Sequence, residues 1–536
     1  MKKKGKTLAA LCVVALAGGA GGAFERTAGA EDVEVVAAQG VGIGDETKKA
    51  NVVATPIRAE EPILIAANGA EIATKTQTLT VEGGASWERI VVETSNAKLL
   101  KRLELRSGEL ILGGVEIDGN GDAASTEFVF EPTDAENLAN VEIWTFPSKN
   151  AGPGDKATIA VKEAVATTAD GERAAFDGTA LEYRFGVLVR DSGWDGVAKY
   201  RIPGIVKTLN GTLIAVYDAR WKHAGDLPAD VDVACSRSFD GGKTWTPMRL
   251  VMNFDGPDPA KEGVGDPAIL VDPKTGRIWV AALWAHNGKS IRASEPGLKI
   301  GTSGRLVLSR SDDDGATWSE PVDITNEAAA GENWRILFQG PGCGIATRGG
   351  QLVFPAQFID ENGVWFSTLV WSGDGGKSWK AGNGAVEATC EAQVVELNDG
   401  SLALNMRNFE GRARSIAVTR DFGETWEECP TSKKTLVEPI CQASWIRFSS
   451  TLDGDESDLI AFMNPNSSTG RVDMTIKLSS DEGTTWDREL TLYRPGGWGY
   501  SSLVKIDDET LGALYETLGG LIFQTVKISE VPKVGE

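Results

Sequence analysis

Short runs of alternating apolar and polar residues dominate the chain after about residue 60. Between 61 and 182 they include TQTLTVEG, ERIVVET and ATIAVKEA. A period of two places successive side chains on opposite faces of an extended strand. Many apolar runs end in Gly, Asn or Asp, which are the residues of tight turns. The pattern therefore predicts an all-β fold with many short strands.

An eight-residue repeat governs the remainder of the chain. It begins as SFDGGKTW at position 238 and returns as SDDDGATW, SGDGGKSW, TRDFGETW and SSDEGTTW. The tryptophans that end the five copies are Trp245, Trp318, Trp379, Trp426 and Trp486. Their intervals of 73, 61, 47 and 60 residues suit a four-stranded propeller blade with loops of variable length. At about 60 residues a blade, the span 184–536 predicts a six-bladed β-propeller.

The segment 61–183 contains no copy of the repeat. We predict that it forms a smaller β-sandwich domain ahead of the propeller. Carbohydrate binding and a purely structural spacer role are both open for it. Residues 31–60 are rich in Ala, Val and Glu without a clear period, and we interpret them as a linker.

Each position of the repeat has a structural use. The Asp can accept hydrogen bonds from nearby backbone N–H groups and lock a turn. The Gly supplies a backbone angle that other residues resist, and the Trp can bury its ring between neighbouring sheets. We therefore interpret the repeat as a hairpin staple. A calcium loop is the competing interpretation, but the Glu that closes an EF-hand loop is missing at that spacing.

Composition and the N-terminus narrow the class of protein. The chain has 536 residues, of which 41% are hydrophobic, and a formal net charge of −22. This charge argues against a nucleic-acid partner, because phosphate binding needs a basic face. Basic MKKKGK, apolar LAALCVVALAG and the small residues AGA at 28–30 predict a signal peptide over 1–30. No second apolar stretch is long enough to span a bilayer, so we expect a secreted, periplasmic or cell-surface protein.

Cysteine and histidine are too few or wrongly spaced for a metal site. Cys12 leaves with the signal peptide, and the other five cysteines are not spaced as zinc ligands. A Cys429–Cys441 disulfide and buried free thiols are the two alternatives. His223 and His286 are the only histidines, which gives poor support to a Ser-His-Asp triad or a His-rich metal site.

The repeats resemble the Asp boxes of sialidases, the neuraminidase family that releases terminal sialic acid. The resemblance covers about 184–536 and extends beyond the boxes. YRIP at 200–203 matches a family motif just ahead of its first blade, and YDAR at 217–220 follows GTLIAV as in the family. CEAQVVELNDGSLALNMRN at 390–408 resembles the segment that carries a Glu and then an Arg. GYSSL at 499–503 and LYE at 514–516 resemble the closing segment.

The resemblance implies a set of site residues. Arg201, Arg407 and Arg471 would be the arginine triad that grips the carboxylate of sialic acid. Tyr500 would be the nucleophile and Glu391 its base partner. A neutral phenol avoids the repulsion that a second carboxylate would meet at the reacting carbon.

The remaining assignments concern the acid and its surroundings. By resemblance, Asp226 is the acid/base residue on the loop after Arg220, and Arg220 lies near the acid and the substrate. Asp230 and Asp232 on the same loop stay as alternatives for the acid. Asp266 is implied to contact substrate at the rim of the pocket, and Glu516 to hold the first arginine of the triad in place.

Together these features predict a secreted exo-α-sialidase of retaining mechanism that acts on sialylated glycans. Its chemistry needs no metal and no organic cofactor. An intramolecular trans-sialidase would use the same residues and differ only in what attacks the intermediate. A non-catalytic glycan-binding propeller would keep the boxes but lose the reactive groups. The sequence does not discriminate between α2-3, α2-6 and α2-8 linkages.

Overall fold

The computed structural model describes residues 52–535 apart from 57–60, 67–70, 118–124, 132–137, 177–178 and 255–257. The predicted signal peptide and most of the predicted linker lie outside the described residues. Strands make up most of the described part. Its one α-helix is α1, Thr325–Ala328. Its short 3₁₀ helices are Ala97–Leu99, Trp194–Gly196, Pro259–Lys261, Ile291–Ala293, Thr451–Asp453 and Ile528–Glu530. The prediction of an all-β fold is therefore confirmed.

Ten strands precede the repeat region. They are β1 Val52–Pro56, β2 Ile63–Ala66, β3 Thr74–Ser95, β4 Leu100–Ser107, β5 Leu110–Glu116, β6 Ser125–Phe130, β7 Leu138–Pro147, β8 Lys156–Thr168, β9 Arg173–Phe176 and β10 Thr179–Asp191. The runs TQTLTVEG and ERIVVET belong to one strand, β3, and not to two. Gly83 and Gly84, with φ of 81° and 82°, bend β3 between the runs without ending it.

Twenty-seven strands follow in the repeat region. The first ten are β11 Lys199–Lys207, β12 Leu213–Arg220, β13 Val231–Ser238, β14 Arg249–Met252, β15 Gly263–Val271, β16 Ile278–Ala285, β17 Arg305–Ser311, β18 Val322–Asp323, β19 Ile336–Gln339 and β20 Gly342–Cys343. The next ten are β21 Ile345–Ala346, β22 Leu352–Ile359, β23 Trp365–Ser372, β24 Lys380–Ala381, β25 Thr389–Glu396, β26 Leu402–Asn408, β27 Arg412–Ala413, β28 Ser415–Thr419, β29 Glu427–Glu428 and β30 Val437–Glu438. The last seven are β31 Ser444–Ser449, β32 Leu459–Pro465, β33 Met474–Ser479, β34 Arg488–Tyr493, β35 Ser501–Lys505, β36 Thr510–Glu516 and β37 Gly520–Lys527.

Apart from a two-stranded sheet of β27 and β30, five separate sheets arise from these strands in chain order. They comprise β11–β14; β15–β18 with β20; β19 with β21–β24; β25, β26, β28 and β29; and β31–β34. The first strands of these sheets contact one another and β35. Strand β11 contacts both β15 and β35, and β31 contacts both β25 and β35. Apolar clusters fill the space between successive sheets, as where Val216 and Val233 meet Val264 and Ile269. This arrangement is propeller-like, as predicted.

The last three strands join the N-terminal strands in one continuous sheet. Strand β10 pairs with β37 through Val187–Asp191 and with β8 through 179–184. The resulting 13-stranded sheet runs β35-β36-β37-β10-β8-β3-β7-β4-β5, with four further strands alongside. The strands before residue 184 surround their own core, which includes Ile90, Leu103 and Val161.

All five repeats form the predicted staple, each between the third and fourth strands of a sheet. In the second copy, Asp313 Oδ1 accepts from the Ser311 hydroxyl and the Thr317 N–H, both at 2.8 Å. The Gly315 N–H donates to the Ser311 hydroxyl at 2.9 Å, with φ of 76° at Gly315. The other copies repeat these bonds. Trp245 packs edge-on against Phe523 of the neighbouring sheet at 5.5 Å between ring centroids.

Candidate active site

Backbone corners with positive φ lie on or near the strands that carry the candidate site residues. These corners, with φ of 60°, 56°, 119°, 30°, 56° and 82°, are Ile202, Asp266, Gly342, Glu391, Ile440 and Gly499. At three of them a bulge shifts the register of the strand, in β11, β15 and β25. A bulge redirects the side chain beside it. Arg201, Asp266 and Glu391 therefore each lie at a bulged corner of a strand.

Tyr500 lies at the middle of this site. Its hydroxyl donates a hydrogen bond to Glu391 Oε1, and Arg407 donates to the same hydroxyl at 3.1 Å. Arg407 also forms an ion pair with Glu391. Burial, together with the Glu391 carboxylate, raises the pKa of the Tyr500 phenol well above its usual value, against the opposing charges of Arg407 and Arg471. The phenol is thus neutral and hydrogen-bonded to a carboxylate that can take its proton.

Arg201 is fixed beside Tyr500 by a buried carboxylate. Its Nε donates to Glu516 Oε1 at 2.8 Å, and the two side chains are 5% and 1% exposed. Glu516 also accepts from the backbone N–H of Ile202 at 2.7 Å and of Tyr500 at 3.0 Å. The Arg201 guanidinium lies 4.4 Å from the ring centroid of Trp498 and 5.2 Å from that of Tyr500. A single carboxylate therefore sets the position of both an arginine and the tyrosine.

Arg471 approaches the Tyr500 ring from another direction. Its guanidinium lies 5.6 Å from the ring centroid. It donates to the backbone carbonyls of Trp498 at 2.8 Å and of Ile440 at 3.3 Å. Among the described residues it forms no ion pair, so its charge is available to an anionic ligand. The three arginines that were predicted to act together are thus brought together around one phenol.

A second group of charges lies beside the first. Arg220 is 1% exposed and donates to Asp218 Oδ2 through Nε at 3.1 Å and a terminal nitrogen at 2.9 Å. The other terminal nitrogen donates to Asp226 Oδ1 at 2.7 Å. The Asp226 side chain is 74% exposed on its loop. Desolvation raises the pKa of Asp226, but the charges of Arg220 and Arg201 outweigh it and hold the pKa below the usual value.

Asp266 completes this second group. Its backbone N–H donates to Asp218 Oδ1 at 2.9 Å. Burial and the neighbouring Asp218 carboxylate raise the pKa of Asp266 well above its usual value. Burial also raises the pKa of Asp218 to about 6, although Arg220 opposes it. Two carboxylates, both reluctant to ionise, therefore line the same side of the site as Arg220.

The two alternative acids on the Asp226 loop have other partners. Asp232 is 7% exposed and accepts from the Trp221 ring N–H at 2.8 Å. Asp230 lies 4.0 Å from the Lys222 ammonium. Asp226 accepts a hydrogen bond from a terminal nitrogen of Arg220 at 2.7 Å. The geometry thus favours Asp226 among the three, while its role as the acid remains a prediction.

The five cysteines of the described residues are all free, so the alternative of a Cys429–Cys441 disulfide is wrong. Cys441 is fully buried and forms a small apolar cluster with Ile202 and Tyr500. Its thiol donates to the Gly499 carbonyl at 3.4 Å. It is therefore a packing residue behind the tyrosine.

Sequence reasoning missed several residues of the site. Asp218 lies two positions before Arg220 on the same strand, and this spacing, which places two residues on one face, could have indicated it. Trp498 stacks on Arg201 but carries no motif signal of its own. Gln357 lies on β22 and Arg414 lies between β27 and β28, and they bond the backbone of Glu391 at 2.8 and 3.3 Å. Only the closed ring brings such residues together.

Comparison with known proteins defines the class. The BNR repeat-like domain family matches residues 202–516 of this chain. A sialidase of Bacteroides fragilis (strain YCH46) is 45% identical over 71% of this chain and 72% of its own length. A sialidase of Micromonospora viridifaciens is 32% identical over 63% of this chain and 53% of its own. The solved structure of the Hadza microbial sialidase Hz136 superposes with a TM-score of 0.80 at 34% identity, over 89% of this chain and 99% of that one.

The repeats, the propeller-like ring and these similarities place the chain among the glycoside hydrolases built on BNR repeats. Within that class, it belongs to the sialidase family. The resemblance stated from the sequence is therefore confirmed.

Proposed function

We propose that this chain is a secreted exo-α-sialidase that hydrolyses terminal sialic acid from glycoproteins, glycolipids or oligosaccharides with retention of configuration. One observation carries the proposal. The Tyr500 hydroxyl donates to Glu391 and accepts from Arg407, while Arg201 and Arg471 flank its ring at 5.2 and 5.6 Å. A carboxylate-bearing sugar held by these arginines has its reacting carbon next to a phenol with a base already attached.

Substrate binding rests on the three arginines. The carboxylate of sialic acid is attached to the reacting carbon, so fixing the carboxylate also fixes the carbon. Arg471 has no carboxylate partner among the described residues, and Glu516 engages only one edge of Arg201. A planar guanidinium grips a carboxylate through two parallel hydrogen bonds. Arg201 and Arg471 can therefore bind the substrate carboxylate while the hydrogen bonds that hold them in the protein stay in place.

In the first chemical step the Tyr500 oxygen bonds to the anomeric carbon as the glycosidic C–O bond breaks. The phenol proton passes to Glu391, and Asp226 donates a proton to the departing oxygen. A neutral nucleophile suits a carbon that bears a carboxylate, and tyrosine-dependent sialidases are exceptions to the two-carboxylate scheme. In the second step water attacks the same carbon as the bond from that carbon to the Tyr500 oxygen breaks. A proton of the water passes to Asp226, and Tyr500 recovers its proton from Glu391.

The substrate itself assists Asp226. In the free enzyme the charges of Arg220, Arg201 and Arg471 lower the pKa of this carboxyl against its desolvation. An acid needs a proton, so a lowered pKa opposes the first step. When the sugar carboxylate binds Arg201 and Arg471, it offsets part of their positive charge, and the pKa of Asp226 rises. The acid thus takes up its proton in response to substrate.

For the fold, we infer six blades. The run β35–β37 with residues 187–191 of β10 supplies a four-stranded unit alongside the five separate sheets. Two apolar clusters support this, one between that unit and β31–β34, and one between it and β11–β14. The sixth unit has no repeat because its fourth strand comes from β10 and not from a hairpin after β37. Five staples therefore fit six blades.

We propose that the strands up to about residue 183 form the predicted β-sandwich. Strand β10 then serves both domains, since its first half pairs with β8 and its second half with β37. We further propose secretion through a signal peptide over 1–30. No helix in the described residues is long and apolar enough to cross a membrane.

An intramolecular trans-sialidase is the second candidate. The solved structure of such an enzyme from Ruminococcus gnavus has a TM-score of 0.54 and 21% identity with this chain, which shows a shared fold alone. The two activities differ in the nucleophile of the second step, which is water for hydrolysis and a hydroxyl of the sugar for internal transfer.

Mass spectrometry of the products tests both candidates. The enzyme is incubated with α2-3- and α2-6-linked sialyllactose and with an α2-8-linked disialoside. Free sialic acid supports hydrolysis, and its anhydro form, lighter by one water, would instead assign internal transfer. The relative rates give the linkage preference. Release of neither product from a folded enzyme would support the non-catalytic alternative.

A further inference from the structure

Glu391 occupies a backbone conformation that a non-glycine residue seldom adopts. Its φ is 30°, and the register of β25 shifts between Cys390 and Ala392 around it. Such a corner persists only where the surrounding structure holds it. The direction of the Glu391 side chain depends on this corner, because the two flanking peptide groups fix the Cα–Cβ bond. Whatever holds the two peptides therefore aims the carboxylate at Tyr500.

Gln357 holds the peptide on the N-terminal side. It lies on β22 of the preceding sheet and is 1% exposed. Its Oε1 accepts from the Glu391 N–H at 2.8 Å, and its Nε2 donates to the Gln339 carbonyl at 3.2 Å. Gln357 is thus itself anchored at both ends of its amide. It links the corner of one sheet to the sheet before it.

Arg414 holds the peptide on the C-terminal side. Its side chain is fully buried, and one terminal nitrogen donates to the Glu391 carbonyl at 3.3 Å. Its Nε donates to Asn405 Oδ1 at 2.6 Å, and its other terminal nitrogen donates to the Cys441 carbonyl at 2.6 Å. The Arg414 guanidinium therefore links the Glu391 corner to Cys441, which packs behind Tyr500.

Glu438 keeps Arg414 in place. The two side chains form an ion pair at 3.0 Å, and both are fully buried. Glu438 also accepts from the backbone N–H of Asn408 at 2.6 Å and of Cys441 at 3.2 Å. A buried arginine with one charged and several carbonyl acceptors has little freedom to move, because every alternative position leaves acceptors unsatisfied.

We propose that Gln357 and Arg414 are positioning residues that hold the Glu391 corner in its left-handed conformation, and so set the contact between the Glu391 carboxylate and the Tyr500 hydroxyl. The inference rests on the proposed function, in which Glu391 takes the phenol proton. Neither residue belongs to the group of arginines to which the proposal assigns the sugar carboxylate. Their loss is expected to slow proton removal and to leave recognition by the arginines intact.

Two substitutions test this inference. Gln357→Met keeps the length of the side chain and removes both polar groups. Arg414→Lys keeps a cation beside Glu438, but the lysine ammonium cannot reach all the acceptors that the guanidinium bonds. We expect kcat on an aryl sialoside to fall by about 10- to 100-fold for each, the scale expected when a reacting group is misplaced by a fraction of an ångström to 1 Å. Inhibition by the 2,3-unsaturated analogue of sialic acid should stay unchanged.

Gln524→Met provides a matched control. Gln524 is also a fully buried glutamine on a central strand, and it bonds Tyr515 and the Phe185 carbonyl away from the site. Thermal unfolding of all three variants shows how much each substitution costs the fold. The control should lose stability without losing kcat. A loss of kcat in Gln524→Met as large as that in Gln357→Met would overturn the inference, since both would then reflect general loosening.

A double-mutant cycle separates this inference from the proposed function. If Gln357 acts through Glu391, Gln357→Met should lower kcat no further in an enzyme that already carries Glu391→Gln. Fully additive losses would contradict the positioning role. A wild-type kcat in a folded Gln357→Met enzyme would also contradict the positioning role. If Arg414→Lys does not fold, the result with Gln357→Met alone tests the inference. Unchanged kcat in Glu391→Gln alone would instead refute the role of Glu391 as the base.

Discussion

The Asp boxes and the Tyr500 site lie at opposite ends of the same sheets and are built in opposite ways. In the first sheet, Lys207 pairs with Leu213, and Leu213 pairs with Ser238, where the first box begins. The other end of β11 carries Arg201. Each box joins residues two to four positions apart, as from Asp313 to Ser311 and Thr317. In the site, Arg201 bonds Glu516, 315 positions away.

This difference determines which region tolerates change. The hydrogen bonds of a box lie within its own turn. When one box is altered, the other four copies remain. The site has one copy of each part, and the single Glu516 carboxylate bonds Arg201, Ile202 and Tyr500. Substitutions in the site should therefore cost activity more than stability, and substitutions in a box should do the reverse. Four measurements test this contrast, in order of decreasing expected effect.

Tyr500→Phe should have the largest effect. It removes one oxygen and keeps the ring that packs against Ile202 and Cys441. Turnover by the covalent route should fall by on the order of 10³-fold or more, as when a catalytic nucleophile is removed. Binding of sialic acid, which we propose to depend on the arginines, should persist. Steady-state rates and calorimetric titration measure the two quantities.

Covalent trapping checks the same assignment independently. A fluorinated sialosyl fluoride should form an adduct with the wild-type enzyme, and peptide mapping should place it on Tyr500. Tyr500→Phe is the control and should give no adduct. A label found on another residue would refute Tyr500 as the nucleophile.

Asp226→Ala should follow, with an effect that depends on the leaving group. A sugar alkoxide needs a proton as it departs, and general acid catalysis of this kind contributes about 10²–10⁴ in rate. A nitrophenolate departs without help. Cleavage of sialyllactose should therefore slow far more than the first-turnover burst with an aryl sialoside. Asp230→Ala and Asp232→Ala are the matched controls, and the same leaving-group dependence in either would move the acid within the loop.

The pH dependence should show a smaller effect with a definite sign. The arginines hold the pKa of Asp226 below its usual value in the free enzyme. The carboxylate of bound sialic acid offsets part of that field, so the pKa should be higher in the complex. The profile of kcat/KM reports the free enzyme and that of kcat reports the complex. The fall of kcat on the alkaline side should thus occur at higher pH than the fall of kcat/KM. If the alkaline falls of kcat and kcat/KM coincided, or if kcat fell at the lower pH, the result would argue against substrate-assisted protonation of Asp226.

The fold was predictable from the sequence wherever contacts are local. The box needs only eight residues, so its turn, its positive-φ glycine and its spacing could be read directly. What the sequence did not show is that β10, far upstream, pairs with β37 at the end of the chain. Pairing over such a distance depends on closure of the ring, and neither strand carries a local signal of its partner. The same limitation hid the continuity of β3 through Gly83 and Gly84.

The site was predictable where a residue belongs to a motif. Arg201, Glu391 and Tyr500 lie in recognisable segments, and the structure brings them together. Gln357 and Arg414 were missed, because a buried glutamine or arginine acquires its meaning only from the peptide that it bonds. The left-handed corners were missed for a related reason. Residues such as Glu391 and Ile202 do not favour positive φ, so the conformation is imposed by their surroundings.

A box substitution should have the smallest effect and should change stability alone. Asp313→Asn removes the charge that accepts from the Thr317 N–H and hydroxyl, at 2.8 and 2.5 Å. These hydrogen bonds lower the pKa of Asp313 to about 2, from an ordinary value of 3.8. The ionised carboxylate therefore stabilises the folded state fully above its ordinary pKa, and this contribution is lost as the pH falls towards 2.

For a solvent-exposed turn we expect the free energy of unfolding at neutral pH to fall by about 1 kcal/mol or less, because solvent screens the charge. The difference between wild type and Asp313→Asn should shrink as the pH falls from about 4 to about 2, and urea unfolding across that range measures it. Asp312→Asn is the matched control, since Asp312 bonds only arginines of the surface and not the turn. If Asp313→Asn instead lowered kcat while the fold stayed intact, the two ends of the sheet would be coupled, and the contrast between box and site would not hold.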